Sequence, residues 1–444
     1  MVAPTTGLAW LPVFLVLLAR ERGARRRLGR ERSRLSHASK ASARDEDSAM
    51  IAHQIRPSAG AMRLQSEGAF VALARARELE AQGRDVIHLG VGEPDFATAE
   101  HIKDAAKASL DRDETHYTPS VGIAPLRDAI AAYASRFRGM APFSRDEVVV
   151  SPGLKPLIWN VMSALLDPGD EVIYADPAYP SYASCSAYLQ ARAVPIPLLE
   201  ATNFRLDLEM LAAKMSSRTK LLILNSPHNP TGGVLARAYL ETIAELALRH
   251  DVTVISDEIY SRNIYDGAFL SIATLDGMRE RTLILDGFSK SYAMTGWRLG
   301  YGIMPAPIAK VVALVGQNTY SCPTSFVQAA GIAALEGPDE PVLAMVAEFR
   351  ARRDAIVAGL NSLPGVSCKI PDGAFYAFPN VSAITTDDRK LASFLLEDAL
   401  VATLGGSCFG DAGIGYLRFS YANSLDAIHT AIERMRAALP RFVP

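Results

Sequence analysis

Between Glu147 and Met304, short runs rich in Val, Ile and Leu alternate with stretches of helical period, and this alternation restricts the fold more than any other feature. The strand candidates are 147–151, 171–176, 192–198, 220–225, 252–257, 282–287 and 299–304. Several are nearly continuous apolar runs, as expected of strands covered on both faces of a parallel sheet. Helix-compatible segments such as 156–166 and 239–250 lie between them. The pattern predicts an α/β fold: a large domain with a mostly parallel seven-stranded sheet and helices on both sides. Pro338 and Pro341 punctuate its end, and an amphipathic segment follows from Val342 to Leu363. Beyond it the pattern becomes α+β, with strands expected at 373–376 and 415–421, a helix near 391–400 and a closing helix from Ser424. The expected organisation is an N-terminal extension over 1–49 and a segment over 50–94 that joins the small domain. A large domain over 95–337 and a small α+β domain over 338–444 follow, and 444 residues accommodate such a division.

A net charge of -2 gives no reason to expect nucleic acid or an anionic membrane as partner. The four cysteines (Cys185, Cys322, Cys368, Cys408) show no metal-type spacing and read as reduced thiols of a cytoplasmic protein, with no metal site. The first 49 residues differ from the rest. Their apolar run, Leu8 to Ala19, is interrupted by Pro12 and falls short of the roughly 20 residues that span a bilayer. Arginines follow that run, whereas a secretory signal places its positive charge first; Glu21 and Glu31 also interrupt any mitochondrial-type presequence. The expectation is a disordered extension, or translation begun upstream of Met50, with a short membrane-associating anchor as the alternative and no stable membrane insertion.

Open α/β sheets bind ligands at the carboxyl ends of their strands. The segment after 220–225 contains Asn229; the next strand candidate ends in Asp257, followed by Tyr260. The segment after 282–287 contains Ser289, Lys290 and Arg298, and the one after 147–151 reads Gly153-Leu154-Lys155 at a helix start. An amide, a carboxylate, a lysine with an arginine, and a helix N-terminus thus converge on one sheet edge. These are the parts that pyridoxal 5'-phosphate chemistry needs: an amine for the aldehyde, an acid for the ring nitrogen and fixed donors for the phosphate. Lys290 would supply the amine and serve as general base. Asp257 would pair with the ring nitrogen, and Arg298 offers a planar, permanently charged fork to the phosphate. Gly153 would let backbone N–H groups approach that anion at a helix N-terminus. Asn229 and Tyr260 are candidates to bond the ring's phenolic oxygen, and Tyr179 to stack on its face. Lys290, Asp257 and Tyr260 form the candidate catalytic set. Each signal alone is weak: an aspartate at a strand end is commonly a cap, and a glycine at a helix start is commonly turn geometry.

Together with Val91–Phe96, Tyr117–Gly122, Asn225–Gly232, Ser256–Tyr260, Phe288–Tyr301, Gly373–Tyr376 and Leu417–Tyr421, these residues make the sequence resemble the class I aminotransferases of the PLP-dependent fold type I superfamily, the group that includes aspartate aminotransferases. The resemblance runs from about Ala69 to the C-terminus. It implies a PLP enzyme that moves an amino group between an amino acid and a 2-oxo acid. By position it implies that Arg418 binds the substrate α-carboxylate, with Asn229 touching both that group and the cofactor. It also implies that Gly92 lines the substrate pocket, and that Tyr117 reaches the phosphate in a neighbouring subunit, hence a homodimer with shared sites. Two positions depart from the family: Gly287 stands where a phosphate-binding serine is frequent, leaving that contact to Ser289 or backbone, and Leu154 where a small or hydroxylated residue is frequent. Lys155 has three open readings: the phosphate, the distal carboxylate of a dicarboxylic substrate, or a solvated first-turn lysine. A PLP-dependent carbon–sulfur lyase on the same scaffold is the alternative reaction, since Lys290, Asp257 and Arg298 serve both. A PLP-binding transcription regulator would need a DNA-binding module, for which residues 1–49 are too short and irregular.

Overall fold

Apolar runs with β-branched residues become buried strands, and in the computed structural model, which describes residues 56–64 and 68–444, all seven candidates form one sheet. The N-terminal extension expected over 1–49 lies outside the described residues, as does the start of the 50–94 segment. After β1 (Ile87–His88), the sheet strands are β2 (Val148–Ser151), β3 (Glu171–Asp176), β4 (Arg192–Pro197), β5 (Thr219–Asn225), β6 (Thr253–Asp257), β7 (Thr282–Gly287) and β8 (Gly300–Ile303). Their order is β2-β8-β7-β6-β5-β3-β4. Pairs from β7 through β4 are parallel, while β8 runs antiparallel to both β7 and β2. The short stretch between β7 and β8 holds only a one-turn helix, Phe288–Ser291, so the chain turns back instead of crossing over. Because β2 and β7 are both antiparallel to β8, they point the same way. The carboxyl ends of β2, β5, β6 and β7 therefore share one edge. Pro195 and Pro197 are accommodated because β4 is the opposite edge strand.

The helix Leu154–Leu165 begins two residues earlier than the 156–166 expectation. Pro156 is its third residue, where the missing N–H is one of those no intrahelical carbonyl could accept. A smaller set of strands follows: β9 (Tyr376–Ala377), β10 (Val401–Ala402), β11 (Leu404–Gly405) and β12 (Leu417–Ser420). β9, β12 and β11 form an antiparallel sheet, and β10 pairs in parallel with β1. The strand expected at 373–376 is shortened because Ala374 adopts φ 56°, a left-handed conformation that breaks the extended backbone. The helices Glu340–Asn361 and Leu425–Ala438 pack on each other, and Ser424 caps the second by accepting the Ala427 N–H. The result is an α/β architecture with a large mixed sheet and a smaller α+β part. Among the described residues no helix is long and apolar enough to cross a membrane.

Candidate active site

Asp257 ends β6 with 3% exposure, level with Asn225 of β5 and Leu285 of β7. Its Oδ2 accepts a hydrogen bond from the Tyr182 hydroxyl at 2.6 Å and its Oδ1 one from the Ile259 N–H at 3.3 Å. Burial pushes the carboxyl up to about 6; those two hydrogen bonds pull it back, and the neighbouring charges of Asp286 and Glu258 push it further up. Asn225 locks the adjoining loop, donating from Nδ2 to the Asp257 carbonyl at 3.0 Å and accepting the Asn229 N–H at 2.9 Å.

Lys290 sits on the one-turn helix that leaves β7, and its Nζ donates to the Gly92 carbonyl. Burial lowers its ammonium to about 8, helped by the positive charges of Arg418, Arg298 and Lys155 and opposed by Glu93. Opposite it, Gly153 (φ 95°) opens the helix Leu154–Leu165 against Arg298, itself held at φ 54° with Nη1 donating to the Thr295 carbonyl at 2.8 Å. A Cβ on Gly153 would lie 2.2 Å from Arg298 Nη2, and one on Gly300 would lie 2.8 Å from the Gly153 carbonyl carbon. Backbone and guanidinium share this space only because no side chain fills it.

Arg418, on β12 and 4% exposed, enters from the smaller sheet. Nη1 donates to Asn229 Oδ1 at 3.0 Å and Nη2 to the Gly90 carbonyl at 2.5 Å. The guanidinium lies over the Tyr376 and Phe409 rings, 4.5 and 4.6 Å from their centroids. The Tyr260 and Tyr376 hydroxyls are 2.6 Å apart, and Lys155 Nζ is 5.6 Å from both the Phe70 and Tyr179 ring centroids.

Gly92, Leu154, Lys155, Tyr179, Asn229, Asp257, Tyr260, Ser289, Lys290, Arg298 and Arg418 all line one cavity of about 490 Å³. Gly153 stands behind that lining, shaping it through Arg298. Tyr117 is not among the lining residues and is 90% exposed. Sequence reasoning missed Tyr182, the hydroxyl partner of Asp257, whose signal was its place one turn beyond Tyr179 on a helix start. It also assigned no role to Asn225, Tyr376 or Phe409, although the first two lie inside motifs already singled out.

These donors fit pyridoxal 5'-phosphate. A buried amine of lowered pKa, a buried carboxylate across the same cavity and a side-chain-free cradle beside an arginine match an aldehyde, a ring nitrogen and a phosphate. Among the described residues no cluster of His, Cys, Asp and Glu could hold a metal ion.

Comparison with known proteins gives concordant findings. The family model described as aminotransferase class I and II matches residues 84–435. The chain is 40% identical over 383 residues to an aspartate aminotransferase of Rhizobium meliloti, covering 83% of this chain and 92% of that protein. It is 38% identical over 363 residues to aromatic-amino-acid aminotransferase 2 of Thermococcus litoralis, covering 81% and 93% respectively. Among solved structures, that of Thermus thermophilus aspartate aminotransferase with maleate superimposes with a TM-score of 0.83 at 36% identity, covering 87% of this chain and all of that one.

Proposed function

Because this chain belongs to the class I and II aminotransferase family, a PLP-dependent family of fold type I, we propose that it carries PLP on Lys290 and uses the cavity around that lysine to transfer the amino group of a dicarboxylic amino acid. Its activity is that of an aminotransferase, moving amino groups between amino acids and 2-oxo acids. The observation that carries the site assignment is the convergence of Lys290, Asp257, Arg298 and Arg418 on one cavity.

When bound, the cofactor supplies an electron sink that makes the substrate α-hydrogen acidic. Lys290, with its ammonium lowered to about 8, is poised to take and return the proton at the substrate α-carbon near neutral pH. Asp257 holds a proton on the ring nitrogen, and Tyr182 and the Ile259 N–H steady its anionic form. Arg298, Ser289 and the helix start after Gly153 hold the phosphate, while Asn229 and Tyr260 hold the phenolic oxygen and Tyr179 the ring face. Arg418 binds the α-carboxylate as a buried fork, positioned by Asn229 and the Gly90 carbonyl. Lys155 takes the distal carboxylate, a role supported by its place in the cavity lining, with its ammonium 5.6 Å from the Phe70 and Tyr179 ring centroids. The exposure of Tyr117 supports its reaching a second copy, and hence a homodimer. The cytoplasmic setting and the domain limits at 94/95 and 337/338 belong to the same proposal.

Incubating the holoenzyme with a panel of amino acids against 2-oxoglutarate, pyruvate and oxaloacetate tests this reading. Aspartate and glutamate are expected as the best donors, with no transfer by Lys290→Ala. Release of pyruvate from a β-substituted donor without amino transfer would replace it with the lyase reading, and an active Lys290→Ala protein would remove the lysine assignment.

A further inference from the structure

One charged cluster next to this cavity is used by none of the steps above. Arg138 closes the helix Ala124–Arg138, and its side chain is wholly buried. Nε donates to Glu258 Oε2 at 2.7 Å and Nη2 to Asp286 Oδ2 at 2.8 Å, with the Phe137 and Phe269 rings 5.5 and 6.0 Å from the guanidinium carbon. The two carboxylates occupy telling positions. Glu258 directly follows Asp257, and Asp286 is the penultimate residue of β7, whose end carries Lys290. Each is held in place by further donors. Glu258 Oε1 accepts the Ser256 and Ser271 hydroxyls at 2.7 and 2.5 Å; Asp286 accepts the Gly287 N–H at 2.7 Å and the Ser261 hydroxyl at 3.3 Å.

Three carboxylates are therefore buried within neighbouring strand ends, and one guanidinium is bonded to the two that do not face the cavity. The phenols of Tyr182, Tyr260 and Tyr376 lie near Asp257 and those of Tyr301 and Tyr133 near Arg138, all neutral in the working pH range, and the cationic side chains of Lys290 and Arg418 line the same cavity as Asp257. Like charges buried close together suppress one another's ionisation, and hydrophobic surroundings make that coupling strong. We infer that Arg138 is a positioning residue for the ring-nitrogen acid: its buried guanidinium offsets one of the two negative charges of Glu258 and Asp286, which lowers the repulsion that the Asp257 anion meets where the reaction needs it. This rests on the assignment of Asp257 made above.

Removing the guanidinium while keeping its bulk, in Arg138→Met, gives the cluster one more net negative charge than in the parent. Adding Glu258→Gln to that variant returns the charge count to that of the parent. Two readouts are compared in the holoenzymes and after cofactor removal: the acid limb of kcat/KM, and the pH dependence of the PLP dissociation constant followed by absorbance. In Arg138→Met the acid limb is expected to move up by about one pH unit, with PLP held about tenfold more weakly near that limb, because one unit corresponds to a tenfold change in the ionised fraction. In Arg138→Met/Glu258→Gln both should return to within about twofold of the parent. A purely structural role would not be repaired by a second substitution, so a double variant no better than the single one overturns the inference, as does an unshifted single variant. Should Arg138→Met fail to fold, the double variant decides alone: a limb overlying that of the parent supports the charge account, and a displaced limb overturns it. Asp257→Asn separates the two levels. If it leaves both readouts at parental values, the assignment of Asp257 fails; if it abolishes turnover while Arg138→Met changes nothing, only the present inference fails.

Discussion

Replacing Asp257 by asparagine should make the cofactor-free protein more stable while disabling it. The carboxyl is displaced from 3.8 to about 6 by burial, with two hydrogen bonds only partly offsetting the loss of water. A shift of roughly two units corresponds to about 3 kcal/mol at about 1.4 kcal/mol per unit. The sign follows from proton uptake. Between pH 4 and 6 the folded carboxyl holds a proton that the unfolded one has released, so stability falls as pH rises through this window and is level above it. Asparagine carries no charge to desolvate, and its amide oxygen can still accept the Tyr182 hydroxyl at the Oδ2 position. It gives up one accepting oxygen, that facing the distant Ile259 N–H, at a cost of about 1 kcal/mol. The expected net gain is therefore roughly 2 kcal/mol at pH 8, shrinking to nothing or a slight loss near pH 4. Urea unfolding of both cofactor-free proteins at a series of pH values measures the difference directly. A variant less stable than the parent at pH 8, or a difference that does not vary between pH 4 and 6, would refute the argument that Asp257 is ionised at the expense of fold stability.

Two other substitutions probe the remaining corners of the cavity. Gly153→Ala places a methyl 2.2 Å from Arg298 Nη2 on a backbone at φ 95°, so PLP should dissociate at least tenfold more readily; an unchanged dissociation constant, measured by absorbance after dialysis, would separate this cradle from the phosphate. Lys155→Ala should lower kcat/KM for aspartate and glutamate by ten- to a hundredfold and leave alanine and phenylalanine within about threefold, whereas equal losses for all donors would assign the lysine to the phosphate.

The alternating apolar runs announced the seven strands because burial on both faces imposes continuous hydrophobicity, a local property that survives in one dimension. Asp257, Asn229 and Lys290 were legible for a related reason: the first ends a strand and the others follow one within four residues, so the topology carries them to the cavity edge, and Arg298 shares the short connection between β7 and β8 with Lys290. The reversed direction of β8 was not, since a strand's apolar pattern is the same in either direction. Tyr182 lies 75 positions from Asp257; its place one turn beyond Tyr179 points it toward the cavity but does not mark that hydrogen bond. Arg138 reads locally as the basic last turn of an amphipathic helix, and only the packed fold turns it inward between two carboxylates. Gly153 showed as a helix-start glycine open to an anion; that its missing side chain makes room for a guanidinium depends on a strand and loop more than 140 residues later.

The antiparallel pairing of β2 with β8 also dictates when the cavity can exist during synthesis. Val148 lies beside Ile303 and Ser151 beside Gly300, so the Gly153–Arg298 side of the cavity closes a loop of about 150 residues. Arg418, which lines the cavity from the smaller sheet and bonds Asn229, emerges later still. Contacts of such separation are slow to form because loop closure precedes any stabilising contact. A growing chain that has already made β3 to β6 thus presents an unsealed parallel sheet, with β6 lacking its neighbour β7 until residues near 287 have been released. Cofactor capture is accordingly a late event, and the interval before it is when exposed strand edges leave this chain most open to mispairing with others.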